Sequence, residues 1–417
     1  MDLLIENLSE LATPTGTQSR RGADQGKIER LQRVEVLCDQ GEITFVGSHE
    51  ERLQQHGELP DTPRVDAGGG TLVPGFIDPH THLPWAGSRA EEFAMRLAGK
   101  TYMEIAAAGG GILSTVHATR ESSEATLTRG VRHRLDQMLQ HGTTTAEAKS
   151  GYGLNLNDEI KQLQAIHTAS AQHAVDLIPT LLAAHETPPE YRDDRQGYLD
   201  VVCNEIVPAV SEAGLARFCD VFCEEGVFTA EESRRVLVAG RDHGMAPRLH
   251  ADEFVDSGGA ELAAELGALS ADHLIAISPV GIEAMARTGV TAVLLPGTSF
   301  FLMKHIYAPA RRLVESGIPV AIATDCNQGS SNTESMPMVF VLAVFELGLT
   351  IEEALTAATL NASCCLDLGD RIGSIEVGKQ ADLVVLDAPN LLHLAYHYGI
   401  NPVQTVIKNG EVVHTTT

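Results

Sequence analysis

The most constraining feature of this 417-residue chain is a regular alternation of strand-like and helix-like stretches between residues 68 and 361. Most of the intervening stretches carry apolar residues at spacings of three and four and end near glycine, which is typical of amphipathic helices. Eight segments are strand candidates, at residues 72–80, 143–150, 176–185, 218–225, 246–253, 270–274, 291–298 and 319–327. Eight βα units over roughly 250 residues predict an α/β fold of the TIM-like (β/α)8 barrel type, although a doubly wound open sheet fits the same pattern.

Short alternating segments flank this region at both chain ends. They are VEVLCD and GEITFVGS on the N-terminal side and GSIEVGKQADLVVLD and TVIKNGEVV on the C-terminal side, with Gly or Asn-Gly turns between them. We therefore expect both chain ends to pair into one small composite β-sandwich. The predicted division is 1–66 for the N-terminal part of the sandwich, 67–372 for the barrel, and 373–417 for the C-terminal part.

The composition restricts the partners of the protein. Thirty Lys and Arg against 56 Asp and Glu leave a formal net charge of -26, which repels phosphate backbones and anionic membranes. We expect no nucleic-acid or membrane partner, and an anionic substrate would need locally placed cations. The start of the sequence has no leader pattern, and the seven cysteines lack disulfide-framework spacing, so we expect a cytoplasmic protein. A homodimer is compatible with this composition.

Histidine or acidic residues end the first, third, fifth, sixth and eighth candidate strands, where a barrel carries its catalytic groups. His80 and His82 are two residues apart, so on an extended segment both side chains point the same way. His250 and Asp325 end the fifth and eighth strands. Each residue alone has a structural explanation, as a hydrogen-bonded histidine or a helix cap. Together they offer three imidazoles and one carboxylate, a set that suits one Zn(II) or iron ion.

A single metal ion is favoured over two. A dinuclear hydrolase needs a bridging carboxylate, for which the fourth strand is the natural source. That strand ends in Cys223-Glu224-Glu225 and offers no lysine for carbamylation, while Lys149 ends the second strand instead. Glu224 and Glu225 remain candidate ligands for a second metal ion.

Several motifs are distinctive when taken together: GFIDPHTHLPWAGSR, AAGGGILSTV, TTTAEAKSGYGL, HADE, SADHL, LLPGT, ATDCNQGSS and ADLVVLDAPN. They resemble the imidazolonepropionase family of the amidohydrolase superfamily, and the resemblance runs from about residue 66 to the C-terminus. His-x-His alone would indicate only the superfamily, whereas KSGYG with HADE and the Asn-x-Gly-Ser segment points to this family. The resemblance implies a hydrolase with one Zn or Fe ion. Its reaction would open the ring amide of 4-imidazolone-5-propanoate to give N-formimidoyl-L-glutamate, in histidine degradation.

This reaction gives the strand-end residues specific roles. We expect Asp325 or Glu253 to take a proton from the attacking water, Glu253 to carry a proton to the ring nitrogen, and His273 to hydrogen-bond the developing oxyanion or the water. The guanidinium of Arg89, seven residues after His82, is expected to anchor the propionate. The resemblance implies further substrate or product contacts at Tyr152, His185, Asn327, Gly329 and Ser330.

Two other functions fit part of the pattern. Another mononuclear amidohydrolase, such as a formiminoglutamate or nucleobase deaminase, would share the ligand set but not KSGYG with the Arg89 loop. A non-catalytic scaffold should have lost ligands, and all four are present. The Gly-rich segment at residues 106–115 lacks the lysine of a phosphate-binding loop, so we expect it to shape the active site.

Overall fold

The computed structural model describes residues 1–100, 104 and 110–416. Residues 106–109 of the Gly-rich segment therefore lie outside the described residues. No helix in the described part of the chain is both long enough and apolar enough to cross a membrane.

The N-terminal region folds into short strands, as its alternating segments predict. They are β1 (Leu3–Glu6), β2 (Glu10–Thr13), β3 (Glu29–Leu31), β4 (Val34–Asp39), β5 (Glu42–Ser48), β6 (Arg64–Asp66) and β7 (Thr71–Pro74).

Eight parallel strands follow and form the barrel, which confirms the predicted fold class. They are β8 (Phe76–Asp78), β9 (Thr143–Lys149), β10 (Asp176–Ala184), β11 (Phe218–Cys223), β12 (Ala246–Ala251), β13 (Ser270–His273), β14 (Thr291–Leu294) and β15 (Val320–Ile322). Their order in the sheet is their order in the chain. The last strands are β16 (Leu383–Leu386), β17 (Val403–Lys408) and β18 (Glu411–Thr415).

Both chain ends build the accessory sheets, as expected. One sheet has the order β5-β4-β1-β6, and the other has the order β18-β17-β16-β7-β2-β3, which joins N-terminal and C-terminal strands. A core of fully buried residues that includes Ile5, Val36, Leu72, Leu383 and Ile407 draws on both sheets. Because this core needs strands from both ends of the chain, neither end can bury its apolar face alone.

The first predicted strand, 72–80, is wrong as a single element. Leu72 and Val73 pair with Val385 and Val384 of β16, so β7 belongs to the six-stranded accessory sheet. The chain then turns into the barrel at Gly75, where a β-carbon would stand 2.3 Å from Thr144 Oγ1. An apolar run gives no sign of a change of sheet, because both sheets bury it. The predicted domain ranges stay a prediction. Within the range predicted for the barrel, Thr71–Pro74 pairs with a strand of the accessory sheet.

The barrel closes between its first and eighth strands, which excludes the open-sheet alternative. Thr81 forms a parallel bridge with Cys326, and the Cys326 carbonyl accepts a hydrogen bond of 3.0 Å from the His82 N–H. The Asp325 N–H donates to the His80 carbonyl at 3.1 Å. These bonds hold the two segments that carry His80, His82 and Asp325 side by side.

Helices cover the outside of the barrel and begin at the capping residues that the sequence provides. The helix Ala230–Asp242 has a capping box in which Thr229 and Glu232 satisfy each other's backbone N–H groups. The described α-helices are His49–His56, Ala90–Leu97, Ile112–Glu121, Glu124–Gln140, Leu156–Ser170, Arg195–Val201, Val207–Glu212, Ala230–Asp242, Gly259–Leu266, Pro279–Thr288, Pro296–Phe301, Ala310–Glu315, Met336–Phe345, Ile351–Ala358, Leu360–Cys365 and His393–Tyr396.

Candidate active site

Four side chains meet at the carboxyl ends of the barrel strands, and we refer to His80, His82, His250 and Asp325 as the His/Asp cluster. Asp325 Oδ1 lies 3.6 Å from His80 Nε2 and 3.3 Å from His82 Nε2. His250 Nε2 lies 3.4 Å from His82 Nε2. All four residues are buried. The structure therefore brings together the four residues that the sequence predicted as metal ligands.

Two buried carboxylates orient the histidines of the cluster. Asp272 Oδ2 accepts a hydrogen bond of 2.6 Å from His80 Nδ1, and Asp220 Oδ1 lies 3.1 Å from His250 Nδ1. With the proton on Nδ1, the Nε2 atom of each ring presents its lone pair to the cluster. Burial also lowers the pKa of His80 well below its usual range, so this ring is neutral. Sequence reasoning did not assign Asp220 or Asp272 a role, since neither faces the cavity.

Lys149 supplies the positive charge beneath these carboxylates. Its Nζ donates hydrogen bonds of 2.7 Å to Glu147 Oε1 and 2.7 Å to Asp220 Oδ2, and it lies 3.9 Å from Asp272 Oδ2. The side chain is fully buried. A buried ammonium paired with carboxylates acts as a cation, so Lys149 is not arranged as a carbamylated bridge between two metal ions.

The donor atoms of the His/Asp cluster fit a metal ion. Donors about 2.0–2.1 Å from a tetrahedral ion lie about 3.3–3.4 Å from one another, close to the separations found here. His80 Nε2 is buried and has no hydrogen-bond partner among the described residues, although an unpaired imidazole nitrogen in such a position costs free energy. Glu224, which the sequence left open as a second-ion ligand, instead accepts hydrogen bonds from the N–H groups of Phe254 and Val255, and Glu225 is exposed.

Glu253 and His273 lie next to the cluster. Burial, followed by the charge of Asp325, raises the pKa of Glu253 to about 7. Burial lowers the pKa of His273 to about 3, so its ring is neutral. His273 Nδ1 is buried, lies 3.7 Å from Glu253 Oε2 and has no hydrogen-bond partner in the part of the chain that the structure describes. The pair can thus provide one carboxyl that exchanges protons near neutrality and one neutral hydrogen-bonding ring.

Asp325 is one of the two candidates for taking a proton from water, and its second carboxylate oxygen already has a partner. Thr298 Oγ1 donates a hydrogen bond of 2.6 Å to Asp325 Oδ2. Asp325 also has a left-handed backbone, with φ 53°, as does His273 with φ 77°. Such conformations cost roughly 1–3 kcal/mol each and persist where the surrounding contacts fix them, as they often do at functional sites.

A cavity of about 410 Å³ opens onto the cluster, and it is lined by most of the predicted site residues. These are His82, Arg89, Tyr152, His185, His250, Glu253, His273, Asp325, Asn327, Gly329 and Ser330. His80 lies behind them, against Asp272. The cavity thus joins the proposed metal ligands to the proposed substrate contacts.

Arg89 reaches into this cavity with a carboxylate beside it. Its Nε donates to both oxygens of Glu92 at 3.0 Å, and its Nη2 donates to Glu92 Oε2 at 2.8 Å. The other terminal nitrogen packs on Gly329, where a β-carbon would stand 2.0 Å from Nη1. The absence of a side chain at Gly329 therefore leaves the room that this position of the guanidinium occupies.

His185 and Tyr152 form a second wall. His185 Nδ1 donates to the Gly151 carbonyl at 3.0 Å, and its ring stacks on His82 with the ring centroids 5.1 Å apart. This bond leaves His185 Nε2 as an acceptor. Burial raises the pKa of the Tyr152 hydroxyl above its usual range, so that it stays protonated as a donor.

Asn327 organises the loop that follows the eighth strand. Its Oδ1 accepts hydrogen bonds of 2.8 Å from the N–H groups of Gly329 and Ser330, and its Nδ2 donates to the Asp325 carbonyl at 2.6 Å. Because both ends of the amide are engaged, Asn327 fixes the position of Gly329 under Arg89.

Some residues that line the cavity were missed by sequence reasoning. Arg96 and Lys304 are half-buried cations, and Lys304 Nζ lies 3.8 Å from the centroid of the Phe254 ring. Neither follows a predicted strand, which was the signal used to select residues. The net acidity of the chain, which calls for local cations beside an anionic substrate, is the signal that would have found them.

Comparisons with known proteins agree with this geometry. A family profile described as the amidohydrolase family matches residues 71–235 and 239–413. The imidazolonepropionase of Geobacillus sp. (strain WCH70) is 51% identical over 99% of this chain and 97% of its own length, and that of Symbiobacterium thermophilum is 49% identical over the same shares.

Among solved structures, an adenosine deaminase from Xanthomonas campestris superposes with a TM-score of 0.71 at 21% identity, covering 99% of this chain and 92% of that one. A guanine deaminase from E. coli has a TM-score of 0.70 at 17% identity and covers 100% of both chains. At such identities the two deaminases share the fold alone. Since near-full-length relatives at about half identity carry the family's name, the chain belongs to the imidazolonepropionase family of the metal-dependent amidohydrolases.

Proposed function

We propose that the protein hydrolyses the ring amide of 4-imidazolone-5-propanoate to N-formimidoyl-L-glutamate, with one Zn(II) or Fe ion in the His/Asp cluster. In this reaction the ring carbonyl carbon gains the oxygen of water, its bond to the ring nitrogen breaks, and that nitrogen takes a proton. The observation that carries the proposal is one cavity that joins the His/Asp cluster to a guanidinium, as a cyclic amide with a carboxylate tail requires.

The ligands of the ion would be His80, His82, His250 and Asp325. A bound ion supplies a lowered pKa for water, from 15.7 to about 7, and polarises the carbonyl. One ion is enough for these tasks, and the buried ion pairs of Lys149 give no bridging ligand for a second.

Glu253 is the best proton carrier in the site. Its pKa of about 7 lets it accept a proton from water and return it to the leaving nitrogen at neutral pH. Asp325 is less suited to this task, because its second oxygen accepts a hydrogen bond from Thr298. His273 stays neutral and can hydrogen-bond the oxygen on which negative charge develops.

The remaining wall residues hold the substrate. Arg89 binds the propionate through the terminal nitrogen that Glu92 does not use. His185 Nε2 accepts a hydrogen bond from a ring N–H, and Tyr152 donates one. The loop of Asn327, Gly329 and Ser330 bounds the cavity beside the propionate.

The direct test is turnover of 4-imidazolone-5-propanoate by the purified protein, with metal content measured on the same preparation. Loss of substrate absorbance with formation of N-formimidoyl-L-glutamate, and about one equivalent of Zn or Fe per chain, is expected. A protein that carries its metal but leaves the substrate unchanged would contradict the assignment. Elemental analysis also decides between zinc and iron.

Location and assembly follow from composition and stay predictions. We expect a cytoplasmic protein that binds neither nucleic acid nor membrane, in keeping with the net charge of -26. A homodimer is the assembly to test, and light scattering at assay concentrations measures the mass directly.

A further inference from the structure

The anchor end of the cavity contains two guanidinium groups and one carboxylate. Arg89 and Glu92 form a close ion pair, with nitrogen–oxygen distances of 2.8 to 3.0 Å. Glu92 also accepts a hydrogen bond of 2.8 Å from the Gly111 N–H. The carboxylate of Glu92 is therefore already engaged in hydrogen bonds, and its negative charge offsets the positive charge of Arg89.

Arg96 is the second guanidinium, one helical turn after Glu92 on the helix Ala90–Leu97. It lines the cavity, and its Nη2 donates to the Gly329 carbonyl at 3.3 Å. Its guanidinium carbon lies 5.1 Å from the centroid of the Phe301 ring. Within the described residues Arg96 has no carboxylate at ion-pair distance, and its Nε is buried without a hydrogen-bond partner.

The two arginines meet at Gly329. Arg89 Nη1 lies where a β-carbon of residue 329 would stand, and Arg96 donates a hydrogen bond to the carbonyl of the same residue. Burial, and then the charge of Arg89, lower the pKa of Arg96, and the charge of Glu92 opposes them only in part. Lys100 also lines the cavity, and its charge is paired with Glu104. The one carboxylate against two guanidinium groups then leaves one positive charge, which matches the single negative charge of an alkanoate.

We propose that Arg96 is a second binding residue for the carboxylate tail of the substrate and holds it together with Arg89; this inference rests on the proposed function. The pair of arginines selects for a charged tail, since a neutral tail would leave Arg96 without a counter-charge in a partly buried position. Arg96 thereby determines specificity and takes no part in bond breaking.

A purely structural role for Arg96, as a support for Gly329 and Phe301, makes a different prediction. Loss of a support would disturb the cavity for every substrate, whereas loss of a carboxylate contact affects only substrates with a charged tail. A substrate analogue in which the propanoate is replaced by its primary amide separates the two cases, because the reacting ring is unchanged.

The experiment compares Arg96→Met with wild type on both substrates, and uses Arg287→Met, at an exposed arginine far from the cavity, as the control. The wild type is assayed first, and if it does not hydrolyse 4-imidazolone-5-propanoate, the proposed function fails before Arg96 is tested. For Arg96→Met we expect kcat/KM on the propanoate to fall roughly 10- to 100-fold, mainly through KM, with the amide analogue little affected.

Equal losses on the two substrates, or no loss on either, would overturn the inference. Arg96→Lys keeps the charge but loses the fork of donors, so it should retain part of the preference for the charged tail. If Arg96→Met does not accumulate as folded protein, Arg96→Lys carries the same comparison, with a reduced preference expected and an unchanged preference counting against the inference.

Discussion

Replacing Gly329 by alanine tests how the cavity positions Arg89. A β-carbon at this site would stand 2.0 Å from Arg89 Nη1 and 2.7 Å from its Cζ, far inside contact distance. The obstacle is the end of a flexible side chain, so we expect the guanidinium to move while the backbone stays in place. The change should therefore reduce substrate binding and leave the fold intact.

The magnitude follows from the contact that is lost. A hydrogen bond to a charged group contributes about 1.5–3 kcal/mol, and each 1.36 kcal/mol is a factor of ten. Gly329→Ala should thus lower kcat/KM on 4-imidazolone-5-propanoate by roughly 10- to 150-fold, chiefly by raising KM. The midpoint of thermal unfolding should change little, because nothing in the apolar core is altered.

The assay is a double-mutant cycle with Arg89→Met. If the added methyl group acts by displacing Arg89, Gly329→Ala should cost little once Arg89 is already removed. A loss of the same size in both backgrounds would refute the reasoning, since the methyl group would then act on something other than Arg89. Gly26→Ala is the control: a β-carbon there meets its nearest neighbour at an ordinary 3.5 Å.

Four further predictions concern the metal site, proton transfer and the buried ion pairs of Lys149. His250→Ala should lose bound metal and activity together, as measured by elemental analysis beside the assay, and a variant that kept full metal would contradict the ligand assignment. Burial raises the pKa of Glu253 to about 7, and its ionised carboxylate accepts the proton. On the acidic limb of the pH profile, kcat/KM should therefore fall as the pH drops through this value. A bound cation lowers the pKa of Glu253 and shifts this limb to lower pH. Glu253→Gln should lower the rate by roughly 10²- to 10⁴-fold and abolish that limb, whereas an unchanged pH profile would exclude Glu253 as its source. Lys149→Met leaves the buried carboxylates Glu147 and Asp220 without their cation. Urea unfolding of the metal-free protein should therefore show that its free energy of unfolding falls by about 3–5 kcal/mol. Lys161→Met is the control and should show no such loss.

Local patterns were sufficient to predict the barrel and to select the four residues that the structure brings together in the His/Asp cluster. The strands were found because a buried parallel strand is a short apolar run between helices, a property of neighbouring residues. His80 and His82 were found because residues two apart on an extended chain share a direction. These predictions needed no knowledge of which distant segments touch.

Other features depend on contacts between residues far apart in the chain. The break at Gly75 went unseen because Leu72 and Val73 are equally apolar in either sheet, and only their pairing with β16 assigns them. The partner of Asp325 Oδ2 is Thr298, 27 residues away, which no spacing rule indicates.

By itself, the sequence determined which residue types stand at the strand ends, and hence a metal-dependent hydrolase of this family. The tertiary structure decided which charged groups lie around these residues and how deeply they are buried. It buries Asp220 and Asp272 behind the histidines, pairs Lys149 with carboxylates, and places Arg89 beside Glu92. The physical reason is that the energy of a charge depends on burial and on partners brought together by folding, neither of which is encoded in local spacing.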